Sequence, residues 1–129
     1  MSDAGLLRTG LCGLTLQTPL VLLSGCVGFG QEYTRVAGFS HRDVGMVVLK
    51  GTTLEPRLGN APHRLAETPG GMLNAIGLQN PGARAVVRDI LPRLDFSETL
   101  FAANVSGARW RSTRRSRASS TTRRWRPSS

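Results

Sequence analysis

The sequence lacks any hydrophobic run that could cross a bilayer. The apolar stretch 20–23 is far shorter than the roughly 20 residues that a membrane-spanning helix needs. No secretory leader and no amphipathic N-terminal helix can be recognised either. A membrane protein is therefore not expected, and the default location is the cytoplasm.

Cysteine and histidine are scarce, with two residues of each. Cys12 and Cys26 form no Cys-x-x-Cys pair, which fits a reducing compartment and excludes an iron–sulfur ligand set. We expect both thiols to be small buried side chains, and neither to be a nucleophile or a base. His41 and His63 lack metal-ligand spacing, so we expect surface or loop positions and no metal site.

Nucleotide-binding fingerprints are also missing. There is no P-loop, and residues 25–30 read Gly-Cys-Val-Gly-Phe-Gly, which departs from Gly-x-Gly-x-x-Gly. A Rossmann dinucleotide site is therefore excluded.

Acidic residues are absent from the C-terminal segment 108–129, which carries eight arginines. Residues 1–107 hold nine basic and eight acidic side chains, so eight of the nine net positive charges belong to this tail. Its composition predicts disorder. One interpretation is a basic arm that binds nucleic acid, with Trp110 and Trp125 stacking on bases.

A second interpretation of the tail is that it is read out of frame. Residues 110–117 can be encoded by codons that contain a second reading frame. If a G precedes these codons and the frame starts on that G, the same DNA encodes Val-Glu-Glu-Tyr-Ala-Ala-Val-Ala. That composition is typical of a helix. We favour this hypothesis over a nucleic-acid arm, and the coding DNA decides between them.

The remaining sequence alternates strand and helix patterns. Residues 11–19 predict a short hairpin or edge strand. Residues 19–24, 45–50 and 99–105 predict strands buried on both faces. Residues 30–37 predict a short helix ended by Gly38, and the apolar spacing of 82–94 predicts a second helix after Pro81. This order is that of a parallel β/α array.

Residues 67–82 stand out as a long segment rich in glycine and proline, without obvious secondary structure. Asn74, Gln79 and Asn80 offer amide groups that both donate and accept hydrogen bonds. A loop of this length in a compact domain usually has a function. The structural alternative for Asn74 is a residue that caps a turn.

Three polar residues end the three predicted strands: Ser24, Lys50 and Asn104. The carboxyl ends of parallel strands lie at one rim, so we expect these side chains to converge on a shared site. The alternatives are a strand-end salt bridge for Lys50 and a local turn for Asn104.

Five blocks of sequence carry a family resemblance. In chain order they are 19–30 (Pro-Leu-Val-Leu-Leu-Ser-Gly-Cys-Val-Gly-Phe-Gly), 47–53 (Val-Val-Leu-Lys-Gly-Thr-Thr), 56–64 (Pro-Arg-Leu-Gly-Asn-Ala-Pro-His-Arg), 67–82, and 102–107 (Ala-Ala-Asn-Val-Ser-Gly). Together they resemble the cytosolic dihydroorotate dehydrogenases, most closely the type B catalytic subunit that works with NAD.

That resemblance implies an FMN-binding (β/α)₈ barrel, which usually takes about 250 residues. Residues 1–107 would then be an N-terminal fragment of about three β/α units. The implied FMN contacts are Ser24, Lys50, Gly51 and Asn104, with Gly25 beside Ser24. The implied contacts to dihydroorotate or orotate are Lys50, Asn74, Ala75, Ile76, Gly77 and Leu78.

The resemblance also implies the chemistry and the partners. Dihydroorotate is oxidised to orotate in pyrimidine synthesis, with hydride passing to FMN while a cysteine base removes a proton. That cysteine lies beyond this chain's end in the resembled pattern, so we expect the chain as written to be inactive. Electrons would reach NAD through a partner subunit that carries FAD and an iron–sulfur centre, in a heterotetramer.

Overall fold

The structure, a computed structural model, describes residues 5–107. The tail 108–129 lies outside these residues. The disorder predicted for the tail and the domain boundary predicted at its start therefore fall there too. Seven strands are described: β1 (Thr9–Leu11), β2 (Leu14–Leu16), β3 (Val21–Leu22), β4 (Met46–Val48), β5 (Leu65–Thr68), β6 (Gly71–Asn74) and β7 (Leu100–Ala102). The described chain divides into two compact units, one up to Gly51 together with Asp89–Asn104, and the other Thr52–Arg88 with the residues after Asn104.

The first unit opens with a hairpin, as the sequence predicted. Strands β1 and β2 pair antiparallel, with Thr9 opposite Leu16. Cys12 and Gly13 form the turn with φ values of 50° and 78°, the left-handed geometry that tight hairpins require. This turn leaves Cys12 exposed, and Cys26 is exposed as well, so the prediction of two buried thiols is wrong.

A three-stranded parallel sheet forms the centre of the first unit. Its order is β3-β4-β7, with Val21 opposite Met46 and Met46 opposite Leu100. The central strand β4 is buried, as predicted, whereas β3 is half-buried and Leu100 on β7 is exposed. Among the described residues β3 and β7 each pair along one side only, which is why they are less covered.

The core lies on one face of this sheet. Val47 is fully buried there and packs with four other buried residues, Val27, Val44, Leu49 and Leu94. A row of aromatic rings borders the core and includes His41, whose ring meets those of Phe39 and Phe101 edge-on at 5.6 and 5.3 Å. His41 is therefore buried, so the surface alternative of its predicted surface or loop position is wrong. His63 is exposed in a loop, as predicted.

The predicted helix over 30–37 is reduced to a single 3₁₀ turn, Tyr33–Arg35. Gly28 and Gly30 both adopt positive φ, so the chain is still turning where that helix would begin. A second 3₁₀ turn, His41–Asp43, follows, and Ser40 and Asp43 close it as a capping box.

The second unit contains a hairpin where the sequence suggested an irregular loop. Strands β5 and β6 pair antiparallel from Leu65 opposite Asn74 to Thr68 opposite Gly71. Every residue of this hairpin is exposed, so its sequence carries no alternating apolar pattern that would have predicted the two strands.

The predicted helix 82–94 is present as three short helical turns: α-helical Ala83–Ala85, π-helical Val86–Ile90 and 3₁₀ Leu91–Arg93. Pro92 lies at the start of the last turn, where its missing N–H prevents a continuous α-helical ladder. Within residues 5–107, no helix has the length and apolar character required to pass through a membrane.

Candidate functional site

The carboxyl edge of the parallel sheet brings two of the predicted residues into contact. Ser24 follows β3 and Asn104 follows β7, and Asn104 Nδ2 donates a hydrogen bond of 2.8 Å to Ser24 Oγ. The two residues are 80 positions apart in sequence, and both are half-buried. Because β4 lies between β3 and β7, this bond joins the two outer strands at one rim.

Lys50 and Gly51 lie at the same rim, at the end of the central strand. The Leu49 N–H donates to the Ala102 carbonyl at 2.8 Å, and the Lys50 N–H donates to the Gly28 carbonyl at 2.6 Å. Lys50 is half-buried and Gly51 is buried. Ser24, Lys50 and Asn104 thus follow three neighbouring strands at the same end of the sheet, and the Ser24 and Asn104 side chains are in contact. That the three residues form one shared site stays a prediction.

The loop that follows β3 is held by one carboxylate. Both oxygens of Glu32 accept from the Phe29 N–H, at 3.1 and 3.2 Å. Gly28 has a φ of +52°, and a side chain at this position would overlap the Glu32 carboxylate. Gly28 thus lets the loop turn tightly enough for its carbonyl to meet the Lys50 N–H.

This rim offers several hydrogen-bonding groups and one positive charge. The Ser24 hydroxyl, which accepts from Asn104, keeps its own proton for donation, and the Asn104 amide keeps a second N–H and a carbonyl oxygen. Lys50 adds an ammonium group that suits an anion. Such a set can hold a polar, partly anionic ligand beside the sheet edge.

The other predicted residues, 74–78, lie in the second unit. Asn74 ends β6 and is exposed with Ala75, whereas Ile76, Gly77 and Leu78 are half-buried. The sequence predicts that residues 74–78 contact a substrate, and for that prediction we call them the substrate segment. Leu78 has a φ of 56°, a left-handed conformation that is uncommon for a residue with a side chain.

A neighbouring stretch of chain holds the substrate segment from one side. Asn60 donates from its backbone N–H to the Ile76 carbonyl at 3.0 Å and from Nδ2 to the Ala75 carbonyl at 2.7 Å. The Ala75 N–H donates to the Arg64 carbonyl at 2.8 Å. Arg64 in turn donates from Nη1 to the Asn60 carbonyl and from Nη2 to Gln79 Oε1, at 3.2 and 2.7 Å.

Asn80 holds the far end of the substrate segment and is only 5% exposed. Its Nδ2 donates to the Leu78 carbonyl at 2.8 Å, and its Oδ1 accepts from the Thr53 and Gly82 N–H groups at 3.1 and 3.0 Å. Sequence reasoning noted the amide of Asn80 but assigned it no site role. The only signal in the sequence is the Asn-Pro-Gly run 80–82, which is typical of a turn.

The Asp95 carboxylate has a shifted pKa. The Ser97 hydroxyl and N–H donate to the Asp95 carboxylate and hold its pKa below the ordinary value. Among residues 5–107, no group of three or more histidine, cysteine or acidic side chains could hold a metal ion.

Known proteins are similar to this chain over most of its length. The family model described as dihydroorotate dehydrogenase matches residues 6–113. The dihydroorotate dehydrogenase B (NAD(+)) catalytic subunit of Bacillus caldolyticus is 49% identical over 102 residues, which are 79% of this chain and 32% of that protein. The subunit of the same name from Latilactobacillus sakei is 50% identical over 103 residues, covering 78% of this chain and 33% of that protein.

A solved structure shows the same fold. The ligand-free type DHODH from Eimeria tenella matches with a TM-score of 0.61 at 21% identity, over 89% of this chain and 35% of that one. The chain thus spans about a third of the length of the proteins it resembles.

Proposed function

The chain belongs to the dihydroorotate dehydrogenase family, and we propose that it carries part of the flavin and substrate site of a type B, NAD-linked catalytic subunit. The observation that carries this proposal is the contact between Ser24 and Asn104 at the rim where Lys50 also lies. These residue types, at this edge of a parallel sheet, suit a planar polar cofactor.

The proposed cofactor is FMN, which when bound would accept hydride from dihydroorotate. Ser24 and Asn104 would bind polar ring atoms through the hydroxyl proton and the amide. Gly51 has no side chain, so the cofactor could approach the backbone closely. Lys50 would place its positive charge beside both the cofactor and an anionic substrate.

The proposed substrate is dihydroorotate, with orotate as product. Lys50 would attract the carboxylate, and Asn74 would hydrogen-bond the amide groups of the ring. Ala75, Ile76, Gly77 and Leu78 would contact the substrate through a backbone held in a fixed conformation. Asn74 and Ala75 are exposed, which leaves them available to a ligand.

The whole reaction needs more than the residues described. None of the candidate residues is proposed as the proton-abstracting base, so we expect no turnover from this chain. The relatives are named as catalytic subunits, which supports a separate partner. We propose that this partner is an electron-transfer subunit carrying FAD and an iron–sulfur centre, in a cytoplasmic heterotetramer.

Ligand titration with the purified chain tests the proposal. We expect FMN fluorescence to report saturable binding, and orotate to bind the FMN-loaded chain. Asn104→Ala should weaken FMN binding by about tenfold, because one hydrogen bond between uncharged groups is lost together with the arrangement it maintains. Thr15→Ala, an exposed substitution in the β1–β2 hairpin, serves as the control.

Two outcomes would contradict the proposal. Equal FMN affinity in the Asn104→Ala and Thr15→Ala variants would remove the rim from the cofactor site. Flavin reduction by dihydroorotate at a measurable rate would show that the base is present in this chain after all.

For the tail, we propose that residues 108–129 are read out of frame. Sequencing the locus across the codons for residues 104–112 tests this. A shifted frame that continues the family pattern would support it. Continuous reading through the same codons without such a frame would favour the nucleic-acid arm, whose binding should then fall steeply with salt.

A further inference from the structure

The exposed start of the substrate segment, Asn74 and Ala75, is fixed by hydrogen bonds. The Ala75 backbone is tied by hydrogen bonds to Asn60 and Arg64, and Asn74 pairs with Leu65 in the β5–β6 hairpin. Packing of a core therefore does not explain why this stretch has a single conformation. Fixed geometry in exposed residues is typical of segments that present groups to a ligand.

Two glycines allow the approach between the substrate segment and its neighbour. A side chain on Gly77 would lie 2.7 Å from the Asn60 backbone nitrogen, and one on Gly59 would overlap the Ile76 carbonyl. Both glycines have a φ of +78°. The two stretches of backbone thus meet more closely than side chains at these positions would permit.

The conformation of Leu78 is costly by itself. A left-handed backbone is unfavourable for an L-residue with a side chain, because Cβ comes too close to the following carbonyl oxygen. The Leu78 carbonyl accepts from the buried Asn80 amide, which is also bonded to Thr53 and Gly82. Because Asn80 is fixed from several sides, it can hold Leu78 in this conformation.

We propose that Asn80 and Arg64 are positioning residues that pre-form the substrate segment for orotate, Asn80 at its C-terminal end and Arg64 through Asn60 and Gln79. The proposal rests on the proposed function, since it takes residues 74–78 as the contact with the substrate. Neither residue needs to touch the substrate. Each would act by lowering the ordering cost that the segment otherwise meets on binding.

Arg64 suits this role because its guanidinium group has two terminal nitrogens that can donate in different directions. Nη1 and Nη2 reach two different acceptors, the Asn60 carbonyl and Gln79 Oε1, so one side chain ties together two residues that are 19 positions apart. A lysine offers a point charge and cannot reproduce both bonds in this geometry. Arg64→Lys should therefore behave more like Arg64→Ala than like the parent.

Hydrogen exchange on the full chain measures the first half of the proposal. We expect Arg64→Ala to raise exchange at the amides of Asn60 and Ala75 by about tenfold or more, because their hydrogen bonds depend on the closed arrangement. The Leu49 amide, bonded to Ala102 in the first unit, should not change. Arg57→Ala is the matched control, since the contact of Arg57 with Asn80 runs through backbone atoms.

Affinity measurements test the second half. Arg64→Ala should weaken orotate binding by about tenfold while FMN affinity stays within about twofold, a split that general destabilisation would not produce. Gln79→Glu, which keeps an acceptor for Arg64, should bind orotate more tightly than Gln79→Ala. Asn80→Asp should weaken orotate binding too, because a carboxylate cannot donate to the Leu78 carbonyl.

The outcomes separate this proposal from the proposed function. Unchanged exchange in Arg64→Ala, or raised exchange with unchanged orotate affinity, would overturn the positioning role. If the parent chain binds no orotate, the proposed function fails and this proposal with it, whatever the exchange data show. If Asn80→Asp fails to fold, the Arg64 and Gln79 variants still decide the question.

Discussion

At the scale of single residues, the structure assigns partners that a one-dimensional pattern cannot contain. Asn104 bonds to Ser24 across the end of the central strand, and Asn80 is a buried hub for three backbone groups. His41 is buried against two phenylalanine rings, although an isolated histidine suggested a surface or loop position. In each case the environment decides what the side chain does.

Gly45 provides a prediction at this scale. It precedes β4, and a side chain there would overlap the Thr18 carbonyl oxygen and lie 2.9 Å from Leu16 Cβ. Gly45→Ala should destabilise the chain by about 1–3 kcal/mol through overpacking. Urea denaturation, compared at constant m-value, measures this change.

Gly10→Ala is the matched control for that substitution. Gly10 lies in β1 with no atom within 4 Å of an added Cβ, so its replacement should leave the urea midpoint nearly unchanged. Equal loss of stability in both variants would show that Thr18 and Leu16 are not packed against Gly45 in solution.

At the scale of elements, short turns replace the longer elements that the sequence suggested. Two positive-φ glycines leave only a 3₁₀ turn where a helix was predicted over 30–37, and Pro92 divides the second predicted helix. A turn joins that helical segment to β7. Within it, the Asp95 carboxylate accepts hydrogen bonds from the Ser97 N–H and hydroxyl, at 2.8 and 2.6 Å. This turn sets the start of β7.

Asp95 gives a prediction with a defined pH dependence. The Ser97 donors lower the pKa of Asp95 in the folded chain, so its contribution to stability is present above the ordinary pKa and is lost as pH falls through the lowered one. The stability difference between the parent and Asp95→Asn should therefore shrink between about pH 5 and about pH 2. Thermal unfolding across this range measures it.

Ser97→Ala tests the cause of that effect, because it removes the hydroxyl donor and should make the pH dependence shallower. An unchanged pH profile in Ser97→Ala would assign the lowered pKa to other neighbours of Asp95, such as Arg42.

At the scale of the whole molecule, the chain presents a sheet whose outer strands are open among the described residues. Strands β3 and β7 each have one partner, β4, and the chain covers about a third of its relatives. Leu20, Leu23 and Leu100 are exposed beside these edges. Open strand edges with apolar neighbours promote association between chains.

We therefore expect concentration-dependent self-association of the purified chain, detectable by sedimentation velocity. Leu100→Lys, which places a charge on the open strand β7, should reduce association. Leu58→Lys changes a residue that is 90% exposed in the second unit, away from any strand, and should have little effect. Equal suppression by both variants would attribute the effect to net charge and not to the edge.

Much of the fold and part of the candidate site could be predicted from the sequence. Continuous apolar runs predicted three parallel strands, and the polar residue that ends each run predicted the rim. The hairpin β5–β6 could not be predicted, because all its residues are exposed and no apolar alternation marks them. The exposure of Cys12 also escaped prediction, since it depends on the conformation of a turn.

The sequence by itself determined the order of the strands, the rim residues and the family, because apolar runs and local motifs are written in consecutive residues. Only the tertiary structure decided which side chains meet. Asn104 and Ser24 are 80 residues apart, and Asn80 and Thr53 are 27 apart. Contacts over such separations depend on how the chain packs, and burial then decides whether an amide is a turn cap, a ligand contact or a structural hub.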